Sequence, residues 1–322
     1  MVPSHLTATL AAAADTEIDQ ALRHGAPGQN SPTGEVGYVA AVVLKAVPDI
    51  AQAWRPILRP HGFSVRMTGV FCHQSPQASF IDASGIPQRC ELADLLVVAE
   101  DLTAGSAGKR WATLIQAKIA NAGGGATLSA SRDLTQLDLM TRWPLLTLPT
   151  AYSKGARDFS TCSYTGVTIE CGRYGLIETG ASLDWRQQAP AKSMPAGGDT
   201  LGSFLANLIE TGQRGYGREA TGTGDDWSRT VDELIRVTGA QAFSYAAGFA
   251  GRRQRGHSGV AYVTAPGSFP WPHPYNWFGH GGDVSLPNGG RPDGPEDFDD
   301  RPEGEGISLL RIGVTRTDEG ME

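Results

Sequence analysis

The sequence predicts an α/β fold: a mixed central β-sheet flanked by helices, followed by a C-terminal extension that is mostly helical and irregular. Three observations carry this expectation. The 322 residues are 40% hydrophobic and 19% charged, enough apolar material for a buried core and too little charge for wholesale disorder. Short apolar runs with period-two alternation are separated by turn-forming segments, as strands require. Over residues 31–178 these runs and the helical segments follow the order helix, strand, strand, strand, helix, strand.

Taken in order, residues 1–30 are Ala-rich and then Gly/Pro/Asn-rich, which reads as a short helix and an arm. Ser31-Pro32 is a helix start, with a Ser cap and Pro at the first helical position. The following VGYVAAVVLKAV is apolar on nearly every face, so it must be buried, and Pro48 is expected to kink or end it. GFSVRMTGVFCH (62–73) alternates as a strand. After a Ser/Pro/Gly-rich connection, ELADLLVVAED (91–101) suits a strand buried on both faces. WATLIQAKIA (111–120) should pair with it as a long-looped hairpin. RDLTQLDLMTRW (132–143) reads as a helix closed by Pro144. YTGVTIECGRYGLIE (164–178) reads as a further strand, or as two with a turn at Gly172.

Beyond this 31–185 core, residues 186–200 look like a linker and 201–322 like an accessory region. That region opens with two amphipathic helices. Its acidic Pro/Gly-rich stretch, 281–306, has the composition of a loop, and ISLLRIGVTR (307–316) reads as a strand that docks back.

Composition also excludes function classes. The longest purely apolar run, Tyr38 to Leu44, is too short to cross a bilayer, so no membrane span is expected. The N-terminus lacks a basic region followed by a sustained apolar core, so no signal peptide is expected. Four cysteines are too few for a disulfide scaffold, and the expected compartment is the reducing cytoplasm. A formal net charge of −7 argues against holding nucleic acid by bulk electrostatics, while leaving room for an enzyme that touches it at one local site.

The stretch that carries chemistry is Glu91-Leu-Ala-Asp94, followed on the next strand by Gln116-Ala-Lys118. Gln116 and Lys118 are two apart and share one strand face. A packed core has no use for Asp, Gln and Lys converging between apolar runs, because burying each alone costs several kcal/mol (roughly 2–7 for an unpaired polar group). The chemistry that would use them is a hard-cation site. Asp94 and the Gln116 carbonyl would be oxygen ligands, a backbone carbonyl would lie between them, and Lys118 would orient or deprotonate a water and neutralise phosphate charge. The plainer reading is that Asp94 terminates a strand or caps a turn and Lys118 snorkels at a strand end.

At these residues the chain resembles the PD-(D/E)XK nuclease superfamily, in the variant where Gln replaces the acidic residue before the Lys. The helix–strand–strand–strand–helix–strand order is similar to that superfamily's restriction-endonuclease-like core, and the resemblance covers about half the chain. Ala93 stands where many members have Pro. Members often carry a Glu on the first helix, which matches Glu35, although a carboxylate there also complements the helix dipole. Many carry a Gln on the helix after the motif, which matches Gln136, otherwise an ordinary polar helix residue. Glu91 falls to structure or to a supporting role beside the site. The resemblance implies Mg2+ or Mn2+ as cofactor and phosphodiester hydrolysis in nucleic acid, DNA ahead of RNA. It also implies a homodimer for cutting two strands and a setting in bacterial restriction or antiphage defence. A catalytically silent scaffold on the same fold is the rival.

Elsewhere, Arg252, Arg253 and Arg255 with Trp271, Tyr275, Trp277 and Phe278 could follow a nucleic-acid backbone and stack bases, or be solvated charges beside a small second core. Residues 200–280 could also receive a protein partner or activator.

Overall fold

The apolar segment after Pro32 folds as a helix that does not stop at Pro48. In this computed structural model α1 is Thr7–His24, α2 is Gly34–Ala41 and α3 is Val47–Leu58, with the last two joined by a wide π turn at Val42–Ala46. The Val47 N–H returns to the Val42 carbonyl five residues back, immediately before the proline that has no N–H to give. The expected kink is therefore absorbed as one extra residue in a turn. The structure describes residues 2–26, 31–72, 76–103, 109–160, 171–180, 183–210, 216–221, 224–240, 260–264 and 306–317.

The strands are β1 (Phe63–Cys72), β2 (Gln77–Ile81), β3 (Pro87–Glu91), β4 (Leu95–Asp101), β5 (Arg110–Ile119) and β6 (Ala126–Thr127). After α4 (Ser131–Arg142) come β7 (Leu146–Thr147), β8 (Gly172–Thr179), β9 (Leu183–Gln188), β10 (Ser193–Met194) and β11 (Asp199–Thr200). Then follow α5 (Leu201–Leu208), β12 (Arg218–Glu219), α6 (Asp226–Ala240), β13 (Val260–Thr264) and β14 (Ser308–Arg316). The main sheet runs β11-β9-β8-β5-β4-β14-β1-β13, with β12 also alongside β5. It is mixed: β4 and β5 are antiparallel with Leu95 opposite Ile115, whereas β5 and β8 run parallel with Gln116 opposite Tyr174.

Alternation along the central strands feeds two cores. Leu95, Val97, Ile115 and Ala117 face α1, α2, α3 and α5, and Leu96, Val98, Leu114 and Leu176 face α4 and α6. This is the mixed α/β class expected, with helices on both faces. The segment 34–61 is long and apolar enough to cross a membrane by length and composition, yet 61% of its apolar window is buried inside this fold.

Several expectations are corrected. The N-terminal segment is not an arm over 7–24: Leu10, Ala14, Ile18 and Leu22 are buried, and the Trp54 indole donates to the Leu10 carbonyl at 2.8 Å. The connection after β1 contains the β2–β3 hairpin, whose turn is held by Asp82 accepting from the Ser84 and Ile86 N–H groups at 2.8 and 2.9 Å. Glu91 therefore ends β3, and a bend at Asp94 separates it from β4. Gly172 makes no turn but begins β8, where a Cβ would come within 2.7 Å of the Trp143 ring. Residues 186–200 are not a free linker, because Asp199–Thr200 pairs with β9 and Ser193–Met194 with β6. Nor is 201–322 a separate accessory region. Thr200 caps α5 and donates to Asp15 of α1 at 2.7 Å, and β14 lies inside the sheet between β1 and β4.

The docking strand read at 307–316 is thus a central one, tied to β4 by the buried Arg311–Glu100 pair at 2.6 Å. Cys72 and Cys90 are free and buried, and Cys171 is disulfide-bonded. Cys162, the stretch 281–305 and the Arg252, Arg253 and Arg255 cluster with its aromatics lie outside the described residues.

Candidate functional site

The antiparallel register of β4 and β5 sets Asp94 beside Gln116. The Asp94 N–H donates to the Ile115 carbonyl at 3.1 Å, which turns its side chain back over the opposing strand. Its Oδ2 accepts the Ala117 backbone N–H at 2.7 Å and also the Gln116 side-chain Nε2. The Gln116 Oε1 in turn accepts from Gln136 Nε2 of α4 at 3.0 Å. Both glutamines are only 2% exposed, so these bonds substitute for water rather than compete with it. The Gln136 Oε1 and the hydroxyl of Tyr174, which stands opposite Gln116 on β8, are buried with no partner among the described residues.

Lys118 emerges on the same strand face near the end of β5, where two layers reach it. Its Nζ lies 3.2 Å from Glu35 Oε2 in the first turn of α2 and 3.0 Å from Asp133 Oδ1 in the first turn of α4. Glu91 stands aside from this contact and pairs with Arg132 at 2.8 Å. Asp94, Gln116 and Gln136 are thus one hydrogen-bonded chain, and Lys118 with Glu35 and Asp133 is an ion-paired group beside it that reaches Asp94 through charge. Glu91, paired with Arg132, likewise reaches Asp94 through its charge.

The electrostatics are those of a crowded acidic pocket. Burial pushes the Asp94 carboxyl up to about 7, reinforced by the Glu91 and Glu35 charges and opposed by the Ala117 N–H and Lys118. Burial by itself would weaken the Lys118 charge, but Glu35 and Asp133 outweigh it and raise the ammonium above its ordinary value. Burial likewise raises the Tyr174 phenol, with Asp133, Asp94 and Glu35 among the charges that add to it.

Sequence reasoning missed Asp133 and Tyr174. Asp133 precedes Gln136 by three residues, so a helix that presents one presents the other. Period-two alternation likewise puts Tyr174 on the site-facing side of β8 once its register with β5 is fixed. Among the described residues no group of three His, Cys, Asp or Glu side chains is placed to hold a metal ion. Any cation here would need amide or backbone oxygens beside Asp94. No protein-family model, curated protein or solved structure matches the chain.

Proposed function

We propose that the chain is a metal-dependent nuclease of the PD-(D/E)XK superfamily that hydrolyses phosphodiester bonds in DNA. The observation that carries this is the convergence of Asp94, Gln116 and Lys118 from adjacent strands, with Glu35 arriving from the preceding helix and Gln136 from the following one. The strand directions support it. β1, β4 and β5 alternate in direction and β8 runs parallel to β5, as a restriction-endonuclease-like core requires, although β14 stands between β1 and β4.

The donor set fits a hard divalent cation under one condition. Asp94 and the Gln116 carbonyl are oxygen donors suited to Mg2+ or Mn2+. As built, however, Gln116 offers Asp94 its amide nitrogen, so the amide must turn before both oxygens face one ion. When bound, such a cation would polarise the scissile phosphate and lower the pKa of an attacking water.

The chain's own residues do the rest. Lys118, held charged by Glu35 and Asp133, is suited to neutralise phosphate charge more than to take a proton. Glu35 and Asp133 position that ammonium, and the Ala117 N–H fixes the Asp94 carboxylate. The same reading carries a role in restriction or antiphage defence and a homodimer for cutting both strands; the cytoplasmic setting that goes with it stands against the Cys171 disulfide, a bond that reducing compartments disfavour.

The test is cleavage of plasmid and linear DNA with Mg2+ or Mn2+ by the wild type, Asp94→Ala and Lys118→Ala. Loss of cleavage in both variants, with folding retained, supports the proposal. One observation favours a second reading, a catalytically silent scaffold: Asp94 and Gln116 satisfy each other, and Lys118 is occupied by two carboxylates. A wild type that neither cleaves nor binds metal selects the scaffold.

A further inference from the structure

We propose that the Gln136–Gln116–Asp94 chain is an invertible amide relay, in which Gln136 positions Gln116 to switch between bonding Asp94 and presenting its carbonyl oxygen to a divalent cation. The inference rests on the metal-dependent reading above and assigns Gln136 a positioning role within it.

Each carboxamide has a donor at one end of its fork and an acceptor at the other. The direction of one bond therefore fixes the direction of the next. When ionised, Asp94 only accepts, so Gln116 turns Nε2 toward it and Oε1 toward α4. That oxygen demands a donor, and Gln136 supplies Nε2. The chain then ends on Gln136 Oε1, an acceptor buried where nothing donates to it.

The observed polarity is therefore imperfect at its inner end, as a chain made to run both ways must be at one end or the other. With a cation at Asp94 the same bonds reverse. Gln116 Oε1 faces the ion, Gln116 Nε2 donates to the Gln136 oxygen that is now unpaired, and Gln136 Nε2 turns inward. The unpartnered Tyr174 hydroxyl, a donor and an acceptor in one group, stands on the same face opposite Gln116. The nitrogen and oxygen of an amide are close in size, so inversion needs no repacking of the two buried side chains. An acidic residue at 116 would need no such device, because both of its oxygens accept.

The experiment measures through-hydrogen-bond couplings in the full chain labelled with 15N and 13C in its glutamine side chains, without metal and with saturating Mg2+. Gln136→Leu identifies the Gln136 signals. Without metal, coupling is expected from Gln136 Nε2 to Gln116 Cδ. With Mg2+ it should vanish and be replaced by coupling from Gln116 Nε2 to Gln136 Cδ. A glutamine that merely packs would keep one direction throughout. An Mg2+ response that Asp94→Ala abolishes, with the coupling direction unchanged, overturns the relay and leaves the metal reading intact. No Asp94-dependent response in the wild type overturns both.

Discussion

Replacing Asp94 by Asn is expected to stabilise the metal-free protein, and increasingly so as pH rises. The Asp94 carboxyl is raised from 3.8 to about 7, chiefly by burial. Between these values the folded state holds a proton that the unfolded chain has released. Stability therefore falls with rising pH, at about 1.4 kcal/mol per unit. The contribution is fully present below the unfolded value and is lost as pH climbs through the folded one. From pH 5 to pH 8 the loss is about 2–3 kcal/mol. An asparagine has no proton to lose, and its amide oxygen can still accept from Ala117 and Gln116.

The assay is urea unfolding of both proteins in EDTA at pH 5, 6.5 and 8. The advantage of Asp94→Asn should widen by that 2–3 kcal/mol across the series. Mg2+ should then restore the wild type at pH 8 and leave the variant unmoved, since ligand binding stabilises only the state that binds. Glu91→Gln should flatten part of the slope, because the Glu91 charge is the second cause of the shift. A gap that stays constant or narrows with pH would refute the burial argument, whatever the protein binds.

Four further outcomes follow from other contacts. Lys118→Met should abolish DNA cleavage yet cost only about 1 kcal/mol by urea unfolding, because the Glu35 and Asp133 side chains it leaves behind are 34% and 25% exposed. Arg157→Met should cost about 3–5 kcal/mol, since it strands Glu233, now paired with the fully buried guanidinium at 2.5 Å. The double change Arg157→Met/Glu233→Leu should recover most of that loss, because Arg157 already leaves Nε and one terminal nitrogen unbonded. Gly175→Ala should lower the melting temperature with a cost of about 1–3 kcal/mol, as its Cβ would press on the Trp185 indole and come within 3.0 Å of Ile115 Cγ2.

The parts of this fold that were legible in the sequence are those whose hydrophobic period decides the matter alone. The runs at 95–101 and 111–119 are short, largely apolar and bounded by turn-forming segments, which suits strands buried in a sheet. Once they pair, the convergence of Asp94, Gln116 and Lys118 is geometry. The β2–β3 hairpin was not legible because only Ala78, Phe80 and Cys90 of its ten strand residues are buried, leaving too thin a stripe to stand out from loop composition. The place of β14 was not legible for a different reason. A strand's period says that it is buried, not which neighbours it takes, and Ser308–Arg316 reaches the gap between β1 and β4 from more than two hundred residues away.

Asp133 was hidden by the same logic at the scale of one side chain. An acid in the first turn of a helix already has a sufficient local explanation in the dipole, so its bond to Lys118 is visible only once α4 is docked. The cluster thus divides into what strand pairing dictates and what helix docking adds. The added part, Glu35, Asp133 and Gln136, is what holds the charge on Lys118 and the orientation of Gln116. Substitutions in the docked helices should therefore alter how the site is tuned, and substitutions on the strands should remove it.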